Sequence, residues 1–226
     1  MLLLLDLFLL LNIKMTKYWG PLGWMTLHSI SLNYPVNPSK EDKQILISYM
    51  NNFTESITCP FCQTHFKSIF QSYIRLFPSW NASKYDLFVF IARAHNTVNK
   101  KLDKPLIRTV NECIETIKSN TKNNSLTMFR QAYINYLIGN WSRELSGEGR
   151  LRMNYAKEVQ KINNQYWSLR ETNIDSLKFP ETDVLFDIDK KSMLTKATIG
   201  LPSMFKGSLS NVGFRFSGGK LKLGNM

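Results

Sequence analysis

The chain has 226 residues, enough for one large domain or two small ones with modest cores. Its 14 Phe, 9 Tyr and 5 Trp exclude the composition of a disordered chain, and three cysteines are too few for a secreted disulfide scaffold. The net charge of +12 is diffuse, so it fits either a solvated basic surface or attraction to anionic partners, without the dense Lys/Arg stripe of a nucleic-acid footprint.

Residues 1–16 form an apolar N-terminal extension, in which Asp6 is the one charged residue before Lys14. The apolar stretch is too short for a transmembrane helix, which needs about 20 apolar residues. It also lacks the basic start and the small-residue cleavage site of a signal peptide. A membrane anchor and a true start at Met15 both stay open as interpretations.

Helices follow one another through the first half of the chain. Pro21 suits the first turn of a helix that Tyr34-Pro35 ends, and Ser39 is a suitable N-cap for the second helix. Pro60 opens a third helix. Apolar residues recur at helical spacing on the second and third helices. These are Ile45, Leu46, Tyr49, Met50, Phe53 and Ile57, then Phe66, Ile69, Phe70, Tyr73 and Phe77.

Two further helices complete this half. Ser83 caps a fourth helix that ends before Pro105, and Thr109 with Glu112 predicts a capping box for a short fifth helix through about Lys118. Four amphipathic helices with short connections predict an all-α fold, a four-helix bundle with a short fifth helix, over residues 17–118.

The second half carries no recognisable catalytic motif. Residues 119–125 are polar and predict a linker. Residues 126–145 and about 150–170 have helical patterns, and residues 172–226 are less regular. We therefore expect a mainly helical C-terminal accessory domain, residues 126–226, whose fold and function the sequence leaves unknown.

Two of the three cysteines lie close together, in Cys59-Pro60-Phe61-Cys62 at the start of the third helix. A helix N-terminus presents unpaired N–H groups and a partial positive charge, which stabilise a thiolate. Cysteines at this spacing can close a small reactive disulfide that exchanges through a mixed disulfide. The pair is therefore a candidate redox site.

A CxxC pair alone has other interpretations. A zinc half-site needs a second ligand pair at matching spacing, and the sequence offers no such pair. A thioredoxin-like site needs a βαβ setting, whereas the flanking sequence is helical on both sides. Two buried core cysteines are the remaining structural alternative.

A second group of residues favours a redox cofactor. Trp24 and His28 share one face of the first helix, and His95 and Asn99 share one face of the fourth, next to Asn96. Aromatic and imidazole rings stack on flat heterocycles, and Asn both donates and accepts hydrogen bonds. Just beyond that face, two lysines could neutralise phosphates. They are Lys101 and Lys104.

Three motifs resemble those of the Erv/ALR sulfhydryl oxidases. They are the segment from Trp19 to His28 followed by Tyr34-Pro35, the CxxC followed by His65-Phe66, and the segment His95 to Pro105, which matches HNxVNxxLxKP. The resemblance covers residues 17–118. The additional C-terminal region and the Asn-rich composition look most like the family members of giant DNA viruses.

The resemblance implies an FAD-dependent thiol oxidase, usually a homodimer, that forms disulfides in protein substrates and passes electrons to O2 to give H2O2. Cys59 would face incoming thiols and Cys62 would lie against the isoalloxazine of FAD. The cofactor contacts that the resemblance implies are Gly20, Trp24, His28, Tyr34, His65, His95, Asn96, Val98, Asn99, Lys101 and Lys104.

The sequence also departs from the family pattern. Pro21 stands where an Arg is frequent, which puts one phosphate contact in doubt, and Ala92 and Thr109 stand where many members carry a structural disulfide. Cys113 is then unpaired, as either an inert buried thiol or an intermolecular link. No further CxxC provides a shuttle, so a protein dithiol must reach Cys59 directly or on a thioredoxin-like carrier.

The alternative function is a non-catalytic, zinc-stabilised or basic interaction module. Nucleic-acid or membrane contact by the C-terminal region stays open without support from the sequence, and the compartment stays open as well. For a viral protein of this kind, host cytoplasm, virus factory or virion would be expected.

Overall fold

In the computed structural model, residues 19–121 and 125–189 are described in full, together with the backbone of two strands near the C-terminus. The apolar extension 1–16 lies outside the described residues. The chain divides into two compact units, Met1–Lys190 and Lys191–Met226.

Seven α-helices make up most of the described part of the first unit, in agreement with the predicted all-α class. Short 3₁₀ turns follow the last of them at Trp167–Leu169 and Ile174–Ser176. The helices are α1 (19–33), α2 (Lys40–Ser56), α3 (Pro60–Leu76), α4 (Lys84–Lys101), α5 (Val110–Asn120), α6 (Leu126–Trp141) and α7 (Gly147–Gln165).

Local sequence signals set most of these helix boundaries. Ser39 and Asp42 form a reciprocal capping box at the start of α2, and the Ser83 hydroxyl accepts from the backbone N–H of Asp86 at the start of α4. Pro60 occupies the first turn of α3, where its missing N–H costs nothing. The helix starts predicted at Ser39, Pro60 and Ser83 are therefore confirmed.

The capping box predicted for α5 is only half formed. The Thr109 hydroxyl accepts from the backbone N–H of Glu112, as expected. The Glu112 carboxylate instead accepts from the backbone N–H of Arg108, at 2.7 Å. Thr109 is engaged in an isolated antiparallel bridge with Asp183, which places its backbone against a segment far along the chain.

The second half of the chain packs into the same core as the first. Phe53 of α2 lies 5.8 Å from Phe66 of α3 and 5.1 Å from Tyr133 of α6, measured between ring centroids. Tyr49 of α2 contacts Trp167, which follows α7 and is fully buried. Residues 126–165 thus belong structurally to the compact unit of α1–α5, and an accessory domain at residues 126–226 stays a prediction about function.

A fully buried arginine joins α6 to its neighbours. Arg130 donates from Nε to Asn163 Oδ1 of α7 at 3.0 Å, and its guanidinium also bonds Ser29 of α1 and the carbonyl of Trp167. A buried charge needs such partners to offset the loss of hydration. The guanidinium therefore fixes α1, α6 and α7 to one another.

Element boundaries in the second half differ from those predicted. Helix α6 ends at Trp141 rather than 145, and α7 begins at Gly147, where the Ser146 hydroxyl caps it. The second unit contains a short antiparallel pair of strands that the sequence pattern did not predict, β1 (Phe214–Ser217) and β2 (Lys220–Leu223). Among the described residues, no helix has the length and apolarity needed to cross a bilayer.

Replacing Phe53 with Ala should lower the free energy of unfolding by about 3–5 kcal/mol, because it leaves a cavity among Tyr49, Phe66 and Tyr133. Ile47→Ala on the exposed side of the same helix should change it by less than about 0.5 kcal/mol. Urea denaturation measures both variants. Equal effects would show that this aromatic layer does not hold the two halves together.

Candidate functional site

Cys59 and Cys62 are joined by a disulfide across the first turn of α3. Cys59 is the N-cap of this helix, and its sulfur accepts from the backbone N–H of Cys62 at 3.3 Å. No acidic residue occupies the first turn. The partial positive charge of the helix N-terminus therefore acts on both sulfurs without an opposing local carboxylate. Cys59 is fully buried and Cys62 is half-buried.

Three rings from α1 and α4 lie together beside α3. Trp24 and His95 are stacked, with centroids 4.3 Å apart and planes 9° from parallel. His28 Nε2 lies 3.2 Å from His95 Nδ1, so one imidazole donates a hydrogen bond to the other. The structure thus brings together Trp24, His28 and His95, as the helical spacing predicted.

Phe66 links this ring cluster to the disulfide. It lies one turn after Cys62 on α3, and its ring meets Trp24 edge-on at a centroid distance of 5.9 Å. Edge-to-face contacts of this kind are favourable because the ring edge is positive and the face is negative. Helix α3, which begins at the disulfide, is therefore packed directly against the ring cluster.

Both histidines of the cluster are held neutral. Burial lowers the pKa of His28 to about 4. Burial, the neighbouring His28 and the charge of Lys104 together hold the pKa of His95 well below its ordinary value. At neutral pH the pair therefore offers hydrogen-bonding ring nitrogens and no positive charge.

Several polar groups near the cluster have no partner within the described part of the chain. His28 Nδ1 is buried without a hydrogen bond. The half-buried Asn99 amide and the exposed Lys101 and Lys104 ammonium groups lack one as well, among residues 19–121 and 125–189. Gly20 of α1 faces open space, since an added Cβ would meet nothing within 4 Å. Such a set fits a flat ring with a polar edge and an anionic extension.

Two predicted cofactor contacts are occupied within the protein. The Asn96 amide donates to the carbonyls of Ile107 and Val184 and accepts from the backbone N–H of Ile107. The buried Tyr34 donates its hydroxyl hydrogen to the carbonyl of Asn81 and lies near the ring of Trp167. For both residues a cofactor contact stays a prediction.

His65 lies one turn after Cys62 and is half-buried, and the structure gives it an unpredicted partner. Its Nε2 lies 2.8 Å from a carboxylate oxygen of Asp189, which is 124 residues further along the chain. On α4, the Lys100 ammonium pairs with the carboxylate of Asp187, in the same C-terminal segment, at 2.6 Å. Val98, a predicted cofactor contact on this helix, is half-buried. No local sequence pattern signals partners so distant.

The site lies within a region that this chain shares with known proteins. A family model described as the Erv1/Alr family matches residues 22–132, which span α1 to α5 and the first part of α6. No solved structure matches the chain.

Curated relatives from viruses and eukaryotes share this region. A probable FAD-linked sulfhydryl oxidase of Acanthamoeba polyphaga mimivirus is 29% identical over 102 residues, covering 45% of this chain and 70% of the relative. The FAD-linked sulfhydryl oxidase of African swine fever virus is 32% identical over 90 residues, with shares of 40% and 72%. The mitochondrial FAD-linked sulfhydryl oxidase of Saccharomyces cerevisiae is 34% identical over 86 residues, with shares of 38% and 43%.

Acidification should destabilise the protein through His28. Its folded pKa of about 4 lies below the ordinary 6.5, so the unfolded chain binds the proton more tightly. This stability is complete above about pH 6.5 and is lost as the pH falls toward 4, costing about 2 kcal/mol between pH 7.5 and pH 5. Urea denaturation at these pH values should show a smaller loss for His28→Gln. Identical losses in both proteins would contradict the burial of a neutral His28.

Proposed function

Because the chain belongs to the Erv1/Alr family, we propose that it is an FAD-linked sulfhydryl oxidase that makes disulfide bonds in protein substrates. The observation that carries this proposal is the packing of the disulfide helix on the ring cluster. Cys59–Cys62 opens α3, and Phe66 of the same helix contacts Trp24, which stacks on His95. A redox-active pair and a site for a flat ring are thus adjacent.

FAD is the cofactor that these residues would hold. The stacked Trp24 and His95, with the unpartnered nitrogen of His28, suit the flavin ring. Lys101 and Lys104 suit the diphosphate, since both are exposed cations without a carboxylate partner among the described residues. The further contacts implied by the family motifs are Gly20, Tyr34, His65, Asn96, Val98 and Asn99.

The first chemical step is thiol–disulfide exchange at Cys59. A substrate thiolate attacks the Cys59 sulfur, the Cys59–Cys62 bond breaks, and a mixed disulfide forms while Cys62 leaves as a thiolate. The partial positive charge at the N-terminus of α3 favours that thiolate, whereas the backbone N–H of Cys62 itself is donated to the Cys59 sulfur. Cys62 is half-buried and Cys59 is fully buried, so an incoming substrate must uncover Cys59 before it can attack that sulfur.

A second substrate thiol then attacks the mixed disulfide and releases Cys59. The substrate is now oxidised to a disulfide, and the cysteine pair holds two electrons that must be removed before another turnover. FAD held beside Trp24 and His95 would supply the two-electron acceptor for this step, with O2 as the final oxidant and H2O2 as the product. The helices hold Cys62 and the ring site in register.

The partners of the enzyme follow from this chemistry. A protein dithiol, free or on a thioredoxin-like carrier, would supply the electrons, and the homodimer is proposed from the family resemblance alone. After Cys59 of the Cys62→Ser protein is converted to a mixed disulfide with an aryl thiol, a pull-down should trap the donor, because the donor thiolate displaces the aryl thiol and remains bound to Cys59. Gel filtration measures the oligomeric state. If the chain is viral, like its mimivirus and African swine fever virus relatives, it acts in host cytoplasm, virus factory or virion.

Cys62→Ser should abolish oxygen consumption driven by a reduced protein dithiol such as thioredoxin, while the purified protein keeps its flavin absorbance at about 450 nm. The change removes the sulfur that passes electrons onward and leaves the ring site intact. Cys113→Ser is the matched control and should retain turnover, since Cys113 is buried in another part of the core.

Full turnover by Cys62→Ser would disprove this mechanism. The rival function, a zinc-stabilised or basic interaction module, predicts a colourless protein that contains zinc. The described residues hold no cluster of three or more His, Cys, Asp or Glu placed to bind a metal ion.

A further inference from the structure

The Cys59 side chain is shielded from solvent in the resting structure. Its exposed fraction is 0%, although the proposed reaction begins with attack on this sulfur. Ile57 and Thr58 form the short connection between α2 and α3 that leads into Cys59. The contacts of this connection determine how readily Cys59 can be reached.

Helix α6 holds the connection from one side. Trp141 donates from Nε1 to the carbonyl of Ser56 at 2.9 Å, and the Tyr136 hydroxyl lies 3.1 Å from the Thr58 hydroxyl. The last carbonyls of a helix lack partners within the helix. Trp141 therefore satisfies a carbonyl at the C-terminus of α2 that would otherwise need water.

Arg152 of α7 holds the connection from the other side. Its guanidinium donates to the carbonyl of Ile57 at 3.3 Å and to the side-chain oxygen of Gln63 at 2.9 Å. It also lies over the Trp141 ring at 5.4 Å and pairs with Glu148. Only 13% of the Arg152 side chain is exposed. Tyr136, Trp141 and Arg152, together called the clamp, thus hold residues on both sides of the disulfide.

A buried sulfur reacts only when the structure around it opens locally. Every clamp contact must break or shift for the connection before Cys59 to move away. A small thiol makes too few contacts to offset that opening. A protein substrate can offset it, because binding energy from surface remote from the thiol can stabilise the open form.

We propose that the clamp determines substrate specificity by closing Cys59 to small free thiols and admitting protein thiols that displace it. This inference rests on the proposed function, since it concerns access to the sulfur that substrates attack. It assigns Tyr136, Trp141 and Arg152 a role in the reaction, although all three lie outside the family motifs identified in the first half of the chain.

The test measures access to Cys59 without using flavin. In a Cys62→Ser background Cys59 is a free thiol, and iodoacetamide labelling followed by mass spectrometry gives its alkylation rate. Adding Arg152→Ala should raise this rate about tenfold, as expected if opening becomes easier by about 1.4 kcal/mol. Tyr136→Phe, which removes one hydroxyl, should raise it less and tests the clamp even if Arg152→Ala does not fold.

Arg150→Ala in the same background is the matched control. Arg150 lies on the same helix, is exposed, and loses the same charge. Loss of a positive charge alone would slow alkylation, because it disfavours the thiolate. The clamp therefore predicts faster alkylation of Cys59 in Arg152→Ala, whereas loss of charge alone predicts slower alkylation.

Cys113 reports global unfolding in the same samples. It is fully buried, and burial raises its pKa to about 12, so it should stay unlabelled while the fold persists. Faster labelling of Cys59 with Cys113 protected supports the clamp. A rate no higher than that of the Arg150 control, or labelling of Cys113 in step with Cys59, would overturn it. Failure of the proposed function would instead appear in the unmodified protein, as the absence of bound flavin or the absence of thiol-driven oxygen consumption.

Discussion

The contact on which the site depends is the packing of Trp24 on His95 and Phe66. It joins α1, which carries the first motif, to α4 through the stacked His95 and to α3 through the edge-on Phe66. Because Phe66 lies one turn after Cys62, the disulfide cannot move far from the rings without breaking this contact. The proposed chemistry needs sulfur and cofactor ring held close together, and we infer that the aromatic packing supplies this constraint.

The C-terminal helices extend this constraint to the entrance of the site. Helices α6 and α7 contribute to the aromatic core through Tyr133, and they carry the clamp residues that hold the turn before Cys59. The Arg130 guanidinium fixes α6 and α7 to α1. Residues that lie beyond the CxxC and HNxVN motifs are in this way coupled to the reacting sulfur. Under the proposed mechanism, long-range packing thus controls access to the cysteine pair.

The sequence predicted what short-range physics determines. Ser39, Pro60 and Ser83 mark helix starts because each satisfies or tolerates an unpaired N–H in the first turn. Helical spacing placed Trp24 and His28 on one face of α1, and the ring chemistry of these residues and of His95 on α4 predicted a shared pocket. The partners Asp189 of His65 and Arg152 of Gln63 could not be predicted, since they come from 124 and 89 residues away and follow no period. Asn96 was predicted from its motif to contact the cofactor, but its side-chain amide donates to the backbone carbonyls of Ile107 and Val184.

A crystal structure of the protein with FAD bound tests the central claim most directly. The account predicts that the isoalloxazine lies beside Trp24 and His95 with the Cys62 sulfur within about 4.5 Å of the ring. A flavin bound elsewhere, or a ring at the Trp24–His95 site with both sulfurs out of contact, would contradict it.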